Sequence, residues 1–274
     1  MSKTDKLRRA KEKKNDEYYT YYEDVQRIGE RYKDKIKDKI IYLNCDNPEQ
    51  SNFYKFFKDN FQKFHIKKII STFLNGYKTT YNGVDEVKEP LLGDGSFNNS
   101  ECIDILKEVD IVITNPPFSI LRDFLNTLYE NKKDFIIVAP ITCFSYKDIQ
   151  KRLSSNNIFI NNLKIKSFYT PTGEDVPVKC YILSSMYRKN PPLLTWKKIE
   201  YMEIKKADNE DALVIDKIND IPTNYDGFIA VPFSIFLYNI EHIFECKFIY
   251  SKKIKVDGKY LYARVLIRKK RQNR

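Results

Sequence analysis

The sequence predicts an α/β fold built on a mainly parallel sheet, and three stretches support that prediction. Residues 111–113 are a short run of β-branched apolar residues, followed by a turn and a helical pattern at 120–130. Residues 39–64 show the order strand, polar loop, helix, which is the first half of a βαβ unit. The helical pattern at 100–108 leads directly into 111–113, as the crossover connection of a parallel sheet requires.

The other elements follow in order along the chain. Val25, Ile28 and Tyr32 have helical spacing, so they predict an N-terminal helix with a tyrosine-rich entrance. Residues 67–74 predict a second strand, and 75–90 a loop or hairpin. Beyond the central strand, the patterns predict a strand at 133–140, a helix at 147–153, a weak strand at 158–165, a turn at 171–177, a strand at 179–187 and an apolar strand within 225–233.

Charge and composition suggest the domain organisation and the kind of partner. Residues 1–14 hold seven Lys or Arg against two acids, which predicts a basic arm. The composition changes after Asn190, so we expect a main domain over 15–190 and a basic C-terminal extension over 191–274. The net charge of +11 favours a polyanionic partner, and nucleic acid is the first candidate.

Cysteine usage and hydropathy exclude several classes of protein. The five cysteines form no Cys-x-x-Cys pair, and there are only two histidines, so no metal site is expected. An odd number of cysteines without a signal peptide fits a reducing compartment. No apolar run approaches the ~20 residues of a membrane span. We therefore expect no membrane association and a cytoplasmic location, in a bacterium or, if the chain is viral, in the infected host cell.

The most informative motif is Asn-Pro-Pro-Phe at residues 115–118. The prolines end the strand and stiffen the loop at the carboxyl end, where open α/β sheets bind ligands. The Asn115 side-chain oxygen and the Pro116 carbonyl can together accept both hydrogens of an exocyclic amino group, and Phe118 offers a ring face to a flat base. A rigid turn without further role is the alternative. Ser119 is a candidate cap for the helix that follows.

Polar residues in three other loops, each beside a predicted helix or strand, are candidate ligand contacts. Tyr19 and Thr20 precede the first helix, whose free N–H groups favour a carboxylate, although core packing would also explain the tyrosine. Asn44 and Asp46 follow the strand that starts at Lys39, where an Asx-type turn is the alternative. Asp94 lies between two glycines beside the expected sheet edge, where a simple turn is the alternative.

The C-terminal tail predicts contacts to nucleic acid. From Lys252 to Arg274 there are ten basic residues and one acid, with tyrosines interleaved. This pattern is typical of surfaces that track phosphates and touch bases. The candidate contacts in the basic arm and the tail are Lys13, Lys14, Arg264, Arg268, Lys269, Lys270 and Arg271.

Several stretches, taken in order, resemble the adenine-specific DNA methyltransferases of the EcoRI type. They are residues 15–20, 42–48, 51–57, 93–97 and 110–119, with more distant similarity at 225–232 and 258–269. The resemblance implies a class I S-adenosylmethionine-dependent methyltransferase fold, which is a mainly parallel seven-stranded sheet with helices on both faces. It also implies S-adenosyl-L-methionine as the methyl donor and N6 of adenine in double-stranded DNA as the acceptor, at a specific short site.

The resemblance also assigns residues and partners. It makes Asn115, Pro116, Pro117 and Phe118 the catalytic loop. By position, the cofactor contacts would be Tyr19, Thr20, Asn44, Cys45, Asp46, Pro48 and Asp94. A restriction endonuclease acting on the same site would be a further partner, and a monomer is favoured over an oligomer.

Other functions remain open alternatives. Enzymes with the same kind of loop methylate RNA bases or glutamine side chains. A nucleic-acid-binding protein with a decayed methyltransferase site is a third alternative. Residues 150–215 do not resemble the family, and target recognition is expected there or in the C-terminal extension.

Overall fold

A computed structural model of the protein describes residues 18–186, 201–238, 240, 243–247, 253–261 and 264–270. The predicted DNA contacts Lys13, Lys14 and Arg271 lie outside these residues. The chain divides into two compact units, the first formed by Met1–Ile141 with Asn162–Met186 and the second by Thr142–Asn161 with Tyr187–Arg274. The expected domain boundary near residue 190 stays a prediction.

The first unit is an α/β structure. Its strands are β1 (Ile40–Asn44), β2 (Lys68–Phe73), β3 (Tyr77–Tyr81), β4 (Glu86–Pro90), β5 (Ile111–Thr114), β6 (Asp134–Pro140), β7 (Phe159–Ile165), β8 (Phe168–Tyr169), β9 (Asp175–Val176) and β10 (Cys180–Ser184). Its helices are α1 (Tyr22–Ile36), α2 (Asn52–Asp59), α3 (Ser100–Glu108) and α4 (Leu121–Glu130). Eight of the strands form one sheet in the order β4-β3-β2-β1-β5-β6-β10-β7, and β8 pairs with β9 as a small hairpin.

The centre of the sheet is parallel, since β1 pairs with β2 and β5, and β5 pairs with β6. The flanking strands β3, β4 and β10 are antiparallel to their neighbours. The predicted α/β methyltransferase fold is confirmed. The sheet has eight strands, one more than the resemblance implied. Two of the eight strands are the β3–β4 hairpin of residues 77–90, which forms one edge of the sheet.

Alternate residues of β1 face opposite layers of helices, as the pleat of a strand requires. Ile41 and Leu43 belong to an apolar cluster with Ile28 of α1 and Phe53 of α2. On the other face, the hydroxyl oxygens of Tyr42 and Thr72 are 2.7 Å apart, and the Cys102 thiol of α3 lies 3.8 Å from the same Thr72 oxygen. Helices therefore pack against both faces of β1.

One expected cap is wrong. The helix after the Asn-Pro-Pro-Phe loop begins at Leu121, and its N-cap residue is Ile120, which makes no side-chain cap bond. Ser119 lies one residue too early, because the Ile120 amide donates to the Pro117 carbonyl at 3.2 Å and closes a turn first. This turn separates the catalytic loop from the helix.

The second unit contains α5 (Lys147–Ser154) and the strands β11 (Ala212–Val214), β12 (Phe228–Pro232), β13 (Phe244–Lys247), β14 (Ile254–Val256), β15 (Lys259–Leu261) and β16 (Arg264–Lys269). Four strands form a sheet in the order β11-β12-β16-β13, and β14 and β15 form a hairpin. Val265, Leu266 and Ile267 of the basic tail are buried in this sheet. In the described part of the chain, no helix is long and apolar enough to cross a membrane.

Candidate active site

A cleft in the first unit opens where β1 and β5 end. The two strands are hydrogen-bonded neighbours, so the loops that follow them meet at the same edge of the sheet. The residues lining the cleft are Tyr18, Tyr19, Thr20, Cys45, Asp46, Ser51, Asn52, Phe53, Asn115 and Pro117. The structure thus brings predicted catalytic and predicted cofactor residues into one site.

Asn115 has a fixed orientation in this cleft. Its side-chain nitrogen donates to the carbonyl oxygen of Tyr18 at 2.6 Å. Its side-chain oxygen is buried and has no hydrogen-bond partner among the described residues. A buried acceptor without a partner costs roughly 1–3 kcal/mol, so such a group is most simply explained by a ligand that donates to it.

The Phe118 ring belongs to the same loop and lies outside the lining of the cleft, against the apolar core of the first unit. The Phe118 ring is half-buried and lies 5.8 Å from Tyr18 and 5.7 Å from Phe168 between ring centroids. Pro116 is buried, and Pro117 lines the cleft. Because its two neighbouring rings hold Phe118 in place, one face of a flat ligand can pack against a preformed aromatic surface.

The segment before α1 is held across the cleft by contacts to distant loops. Tyr19 exchanges two backbone hydrogen bonds with Tyr169, at 2.8 and 3.0 Å. The Asn52 side-chain amide donates to the Thr20 carbonyl at 2.9 Å. The Tyr19 hydroxyl lies 2.5 Å from the Gln50 side-chain oxygen. These contacts place the Thr20 hydroxyl in the cleft, where it is buried and has no partner within the described chain.

The loop after β1 turns sharply into α2. Cys45 has a φ of 76°, in the left-handed region that a non-glycine residue rarely occupies, and its amide donates to Thr72 at 2.9 Å. Ser51 caps α2 by accepting from the amides of Phe53 and Tyr54. The Asn44 side chain is only 1% exposed and its oxygen lies 3.4 Å from the Thr72 hydroxyl, so it turns away from the cleft lining. Pro48 lies within the turn and is half-buried.

Asp46 lies at the floor of the cleft with its carboxyl group bonded on both sides. One oxygen accepts from the Ser51 hydroxyl and the other lies close to the Thr114 hydroxyl, both at 2.6 Å. Burial raises the pKa of Asp46 to about 7, although the hydrogen bonds with Ser51 and Thr114 act in the opposite direction. The same burial, together with Asp46, raises the pKa of the neighbouring Cys45 thiol, which stays protonated.

Asp94 lies outside the cleft lining. Its side chain is exposed and accepts from the Ser96 amide at 2.9 Å, as in an Asx turn. Its carbonyl accepts from Gly76, so the loop after β4 lies against the turn after β2. Gly95 makes this approach possible: its φ is 82°, and an added Cβ would lie 2.1 Å from the Phe73 carbonyl oxygen. The predicted contact of Asp94 with adenine stays a prediction.

Most of the described C-terminal cations are engaged within the second unit. The Arg264 guanidinium pairs with Asp216 at 2.6 Å and is only 14% exposed. Arg268 pairs with Glu245 and lies over the Phe228 ring at 4.6 Å from its centroid. Lys269 donates to the Thr223 carbonyl. Lys270 is exposed, and no carboxylate of the described residues pairs with it. The tail therefore presents less free positive charge than its composition suggests.

Sequence reasoning missed several residues that build the site. They are Tyr18, Ser51, Asn52, Thr114, Phe168 and Tyr169. Ser51 was detectable as a helix cap directly before an aromatic-rich helix, and Thr114 as the residue that joins the strand to the loop. Phe168 and Tyr169 gave no usable signal, because they follow a weak strand far along the chain.

The cleft suits a ligand with hydrogen-bond donors and positive charge. Its polar groups include the unpartnered oxygens of Thr20 and Asn115 and the carboxyl of Asp46. Among the described residues, the cleft lining includes no lysine, arginine or histidine. No group of three potential metal-ligating side chains occurs in the described part of the chain. These acceptors suit a ligand that carries ammonium or other positively charged groups.

An α/β sheet with an Asn-Pro-Pro-Phe loop at the end of its central parallel strand places the protein in the class of methyltransferases that act on amino groups. Comparison with known proteins agrees. The profile of the family described as "Adenine-specific methyltransferase EcoRI" matches residues 6–90 and 77–247. The chain belongs to this family, so the prediction of an enzyme, a site-specific and adenine-specific DNA methyltransferase, is confirmed.

Three relatives show how far the similarity extends. Type II methyltransferase M.EcoRI of Escherichia coli is 31% identical, over 97% of this chain and 96% of that protein. Type II methyltransferase M.MpnI of Mycoplasma pneumoniae is also 31% identical, over 82% of this chain and 79% of that protein. Type II methyltransferase M.MgeORF184P of Mycoplasma genitalium is 29% identical, over 82% of this chain and 80% of that protein. The similarity to the first of these relatives spans nearly the whole chain.

Proposed function

We propose that the protein transfers a methyl group from S-adenosyl-L-methionine to N6 of adenine in double-stranded DNA, at a specific short site. The observation that supports this best is the buried side-chain oxygen of Asn115, which has no partner within the described chain. An adenine amino group donates hydrogen bonds and would supply the missing partner. Family membership supports the adenine acceptor, since the family is described as adenine-specific.

The chain's own residues would hold the cofactor. Asp46 would face a positively charged group of the cofactor. The Thr20 hydroxyl beside it could donate or accept a hydrogen bond. Tyr19 and Cys45 complete the walls of the cleft, whereas Asn44, Pro48 and Asp94 would act from outside its lining. S-adenosylmethionine supplies the methyl group as an electrophile bound to a positively charged sulfur.

The catalytic loop would orient the amine. Asn115 accepts one hydrogen of the amino group and the Pro116 carbonyl accepts the other, which turns the nitrogen lone pair out of conjugation with the ring. The nitrogen would then bond to the methyl carbon as the carbon–sulfur bond breaks, the cofactor would leave as a neutral thioether, and the methylated amine would lose a proton to solvent. No covalent adduct to the chain is needed. Good alignment of two bound reactants can lower the barrier by ~7–11 kcal/mol.

The target base has to leave the duplex to reach this loop. Extrusion of a base costs a few kcal/mol, and stacking on a preformed aromatic surface offsets part of that cost. Phe118, supported by Tyr18 and Phe168, provides such a surface. Phosphate contacts by basic residues of the arm and the tail would supply further binding energy.

Further aspects of the biological setting are part of the same proposal. A restriction endonuclease that cuts the same site would be the natural partner, because methylation protects the host DNA. We expect a monomer, since one chain contains both the cofactor cleft and the catalytic loop. A cytoplasmic location follows from a DNA substrate.

The test is the transfer of labelled methyl from S-adenosylmethionine to duplex DNA, single-stranded DNA and RNA, followed by digestion to nucleosides. We expect N6-methyladenine from duplex DNA alone. Label in RNA alone would preserve the chemistry and change the acceptor. No label in any nucleic acid, from protein that binds DNA, would favour a binding protein with a decayed site.

A further inference from the structure

Asp46 is a buried carboxyl group that has no positively charged partner among the described residues. Its side chain is 6% exposed. The other titratable groups that line the cleft are Tyr18, Tyr19 and Cys45, all of which are neutral when protonated. Burial raises the pKa of Asp46 to about 7. A buried carboxylate without a cation is unfavourable, so the free enzyme holds this group as an acid over much of the physiological range.

The hydrogen bonds around Asp46 fit the neutral acid. The Ser51 oxygen accepts from the amides of Phe53 and Tyr54, so the single Ser51 proton points to the nearer oxygen of Asp46. The Thr114 oxygen lies within hydrogen-bond distance of the other Asp46 oxygen and of the Asn44 carbonyl. A carbonyl cannot donate, and a hydroxyl has one proton. If Asp46 is protonated, it donates to Thr114 and Thr114 donates to Asn44, which satisfies every group.

The ionised form gives a different arrangement. The Asn44 carbonyl and the Asp46 carboxylate then compete for the one proton of Thr114. A cation beside Asp46 would compensate for the competition by stabilising the charge. Thr114 directly precedes Asn115, so this hydroxyl lies between the cofactor cleft and the catalytic loop.

We propose that Thr114 is a positioning residue whose hydroxyl holds Asp46 as a neutral acid in the free enzyme and as a carboxylate when the positively charged cofactor binds, with release of one proton. The inference rests on the proposed function, because it takes S-adenosylmethionine as the ligand. The O–H bond of Asp46 breaks, its proton passes to the buffer, and the positive charge of the ligand replaces it. Cofactor affinity is thereby linked to pH.

The direction of the linkage follows from the two states. Above pH 7 Asp46 is already ionised in the free enzyme, so binding releases no proton from it. Below pH 7 the ligand has to displace the proton, and affinity falls by about tenfold per pH unit until the carboxyl of the complex is itself protonated. This fall is a property of the free enzyme and requires no DNA.

The experiment is calorimetry of S-adenosylmethionine binding to the full-length protein at pH 6 and pH 8.5, in buffers of different ionisation enthalpy. We expect release of close to one proton at pH 6 and no release at pH 8.5, where the ligand's own amino group, with a pKa of roughly 8, takes up a proton on binding as ammonium. Binding without proton release at pH 6 would overturn this inference and leave the proposed function standing. No binding at either pH would overturn both.

Two variants separate positioning from a merely structural role. Thr114→Val removes the hydroxyl and nearly preserves the shape, so the neutral Asp46 loses its acceptor and the ionised Asp46 loses a donor that it shares with the Asn44 carbonyl. Because the two forms of Asp46 depend on this hydroxyl differently, we expect the pH midpoint of cofactor affinity to shift from the wild-type value. Thr114→Ser restores the hydroxyl and should restore the wild-type pH midpoint of cofactor affinity. A wild-type pH profile in Thr114→Val would contradict the inference, and circular dichroism on each variant verifies folding.

Discussion

The side-chain nitrogen of Asn115 donates to the backbone carbonyl of Tyr18 at 2.6 Å, and this bond directs the opposite amide oxygen into the cleft. The two residues are 97 positions apart in the chain. The bond links the catalytic loop to the segment that precedes α1, which also presents Thr20. Asn115 therefore joins the two sides of the cleft, and under the proposed function its oxygen would also accept from the target base.

Asn115→Ala should abolish methyl transfer and weaken cofactor binding only a few-fold. The acceptor for the amine is lost completely, whereas the bond to Tyr18 is one neutral hydrogen bond worth about 0.5–1.5 kcal/mol. Single-turnover transfer assays and calorimetry with S-adenosylmethionine measure the two effects separately. Asn131→Ala is the matched control, since Asn131 bonds only to the Thr127 carbonyl of its own helix end. Loss of transfer and cofactor binding together would show that Asn115 is structural.

Thr20→Val should leave the free energy of unfolding unchanged or slightly raised, and should weaken cofactor binding. The Thr20 hydroxyl is buried without a partner in the described chain, so its removal costs the folded protein no hydrogen bond. Urea unfolding and calorimetry measure both quantities. Thr72→Val is the control: its hydroxyl is bonded to Tyr42, and its loss should destabilise the fold by about 1–3 kcal/mol. Equal destabilisation by Thr20→Val and Thr72→Val would contradict the inference that the Thr20 hydroxyl forms no hydrogen bond within the described chain.

Asp46→Asn should stabilise the free protein at pH 8. The folded pKa of about 7 lies above the usual value of 3.8, so the stability associated with Asp46 is fully present below pH 3.8. It declines as the pH rises to about 7 and stays low above that value. The asparagine cannot ionise, so the variant should gain on the order of 1–3 kcal/mol at pH 8. Urea unfolding at pH 5 and pH 8 tests this, and an equal effect at both values would refute it.

Gly95→Ala should cost more stability than Gly173→Ala, although both glycines have positive φ. At Gly95 the new Cβ would lie 2.1 Å from the Phe73 carbonyl oxygen, whereas at Gly173 nothing lies within 4 Å. Both changes carry backbone strain of about 1–2 kcal/mol, and only the first adds a collision with backbone. Thermal unfolding compares them. If Asp94 contacts the cofactor, Gly95→Ala should also lower cofactor affinity and Gly173→Ala should not.

Lys270→Ala should weaken DNA binding and lower the salt dependence of the binding constant by about one charge. Lys270 is exposed and is not paired with a carboxylate within the described residues. Arg268→Ala should have a smaller effect on the salt slope, because Arg268 is already paired with Glu245. Fluorescence anisotropy with duplex DNA over a series of salt concentrations measures the slopes. Unchanged slopes in both variants would remove this part of the tail from the interface.

Much of the fold was predictable because local patterns determine it. The β-branched run that became β5 is buried at all four positions, and apolar runs of this length form strands in the middle of α/β sheets. The helix at Ser100–Glu108 was predicted to the residue from its periodicity and flanking polar residues. The stiffness of the Asn-Pro-Pro-Phe loop is a local property of proline and needs no tertiary contact.

Local patterns do not show how the charges of the tail are paired. The tail around Arg264–Lys269 is predicted to contact DNA, and in the structure it is an inner strand of a sheet with Arg264 and Arg268 paired to acids. Composition counts cations but does not show which carboxylates lie opposite them. The pairing depends on which strands are neighbours, and that is decided by the fold.

The sequence by itself determined the strands, the helices and the stiff catalytic loop, because these depend on residues close together in the chain. Only the tertiary structure decided that Asp46 meets Thr114, 68 residues away, and that Asn115 meets Tyr18. The physical reason is that the order of strands in the sheet brings the ends of β1 and β5 together. Burial at that junction, which no local pattern encodes, raises the pKa of Asp46 and leaves the Asn115 oxygen without a partner in the described chain.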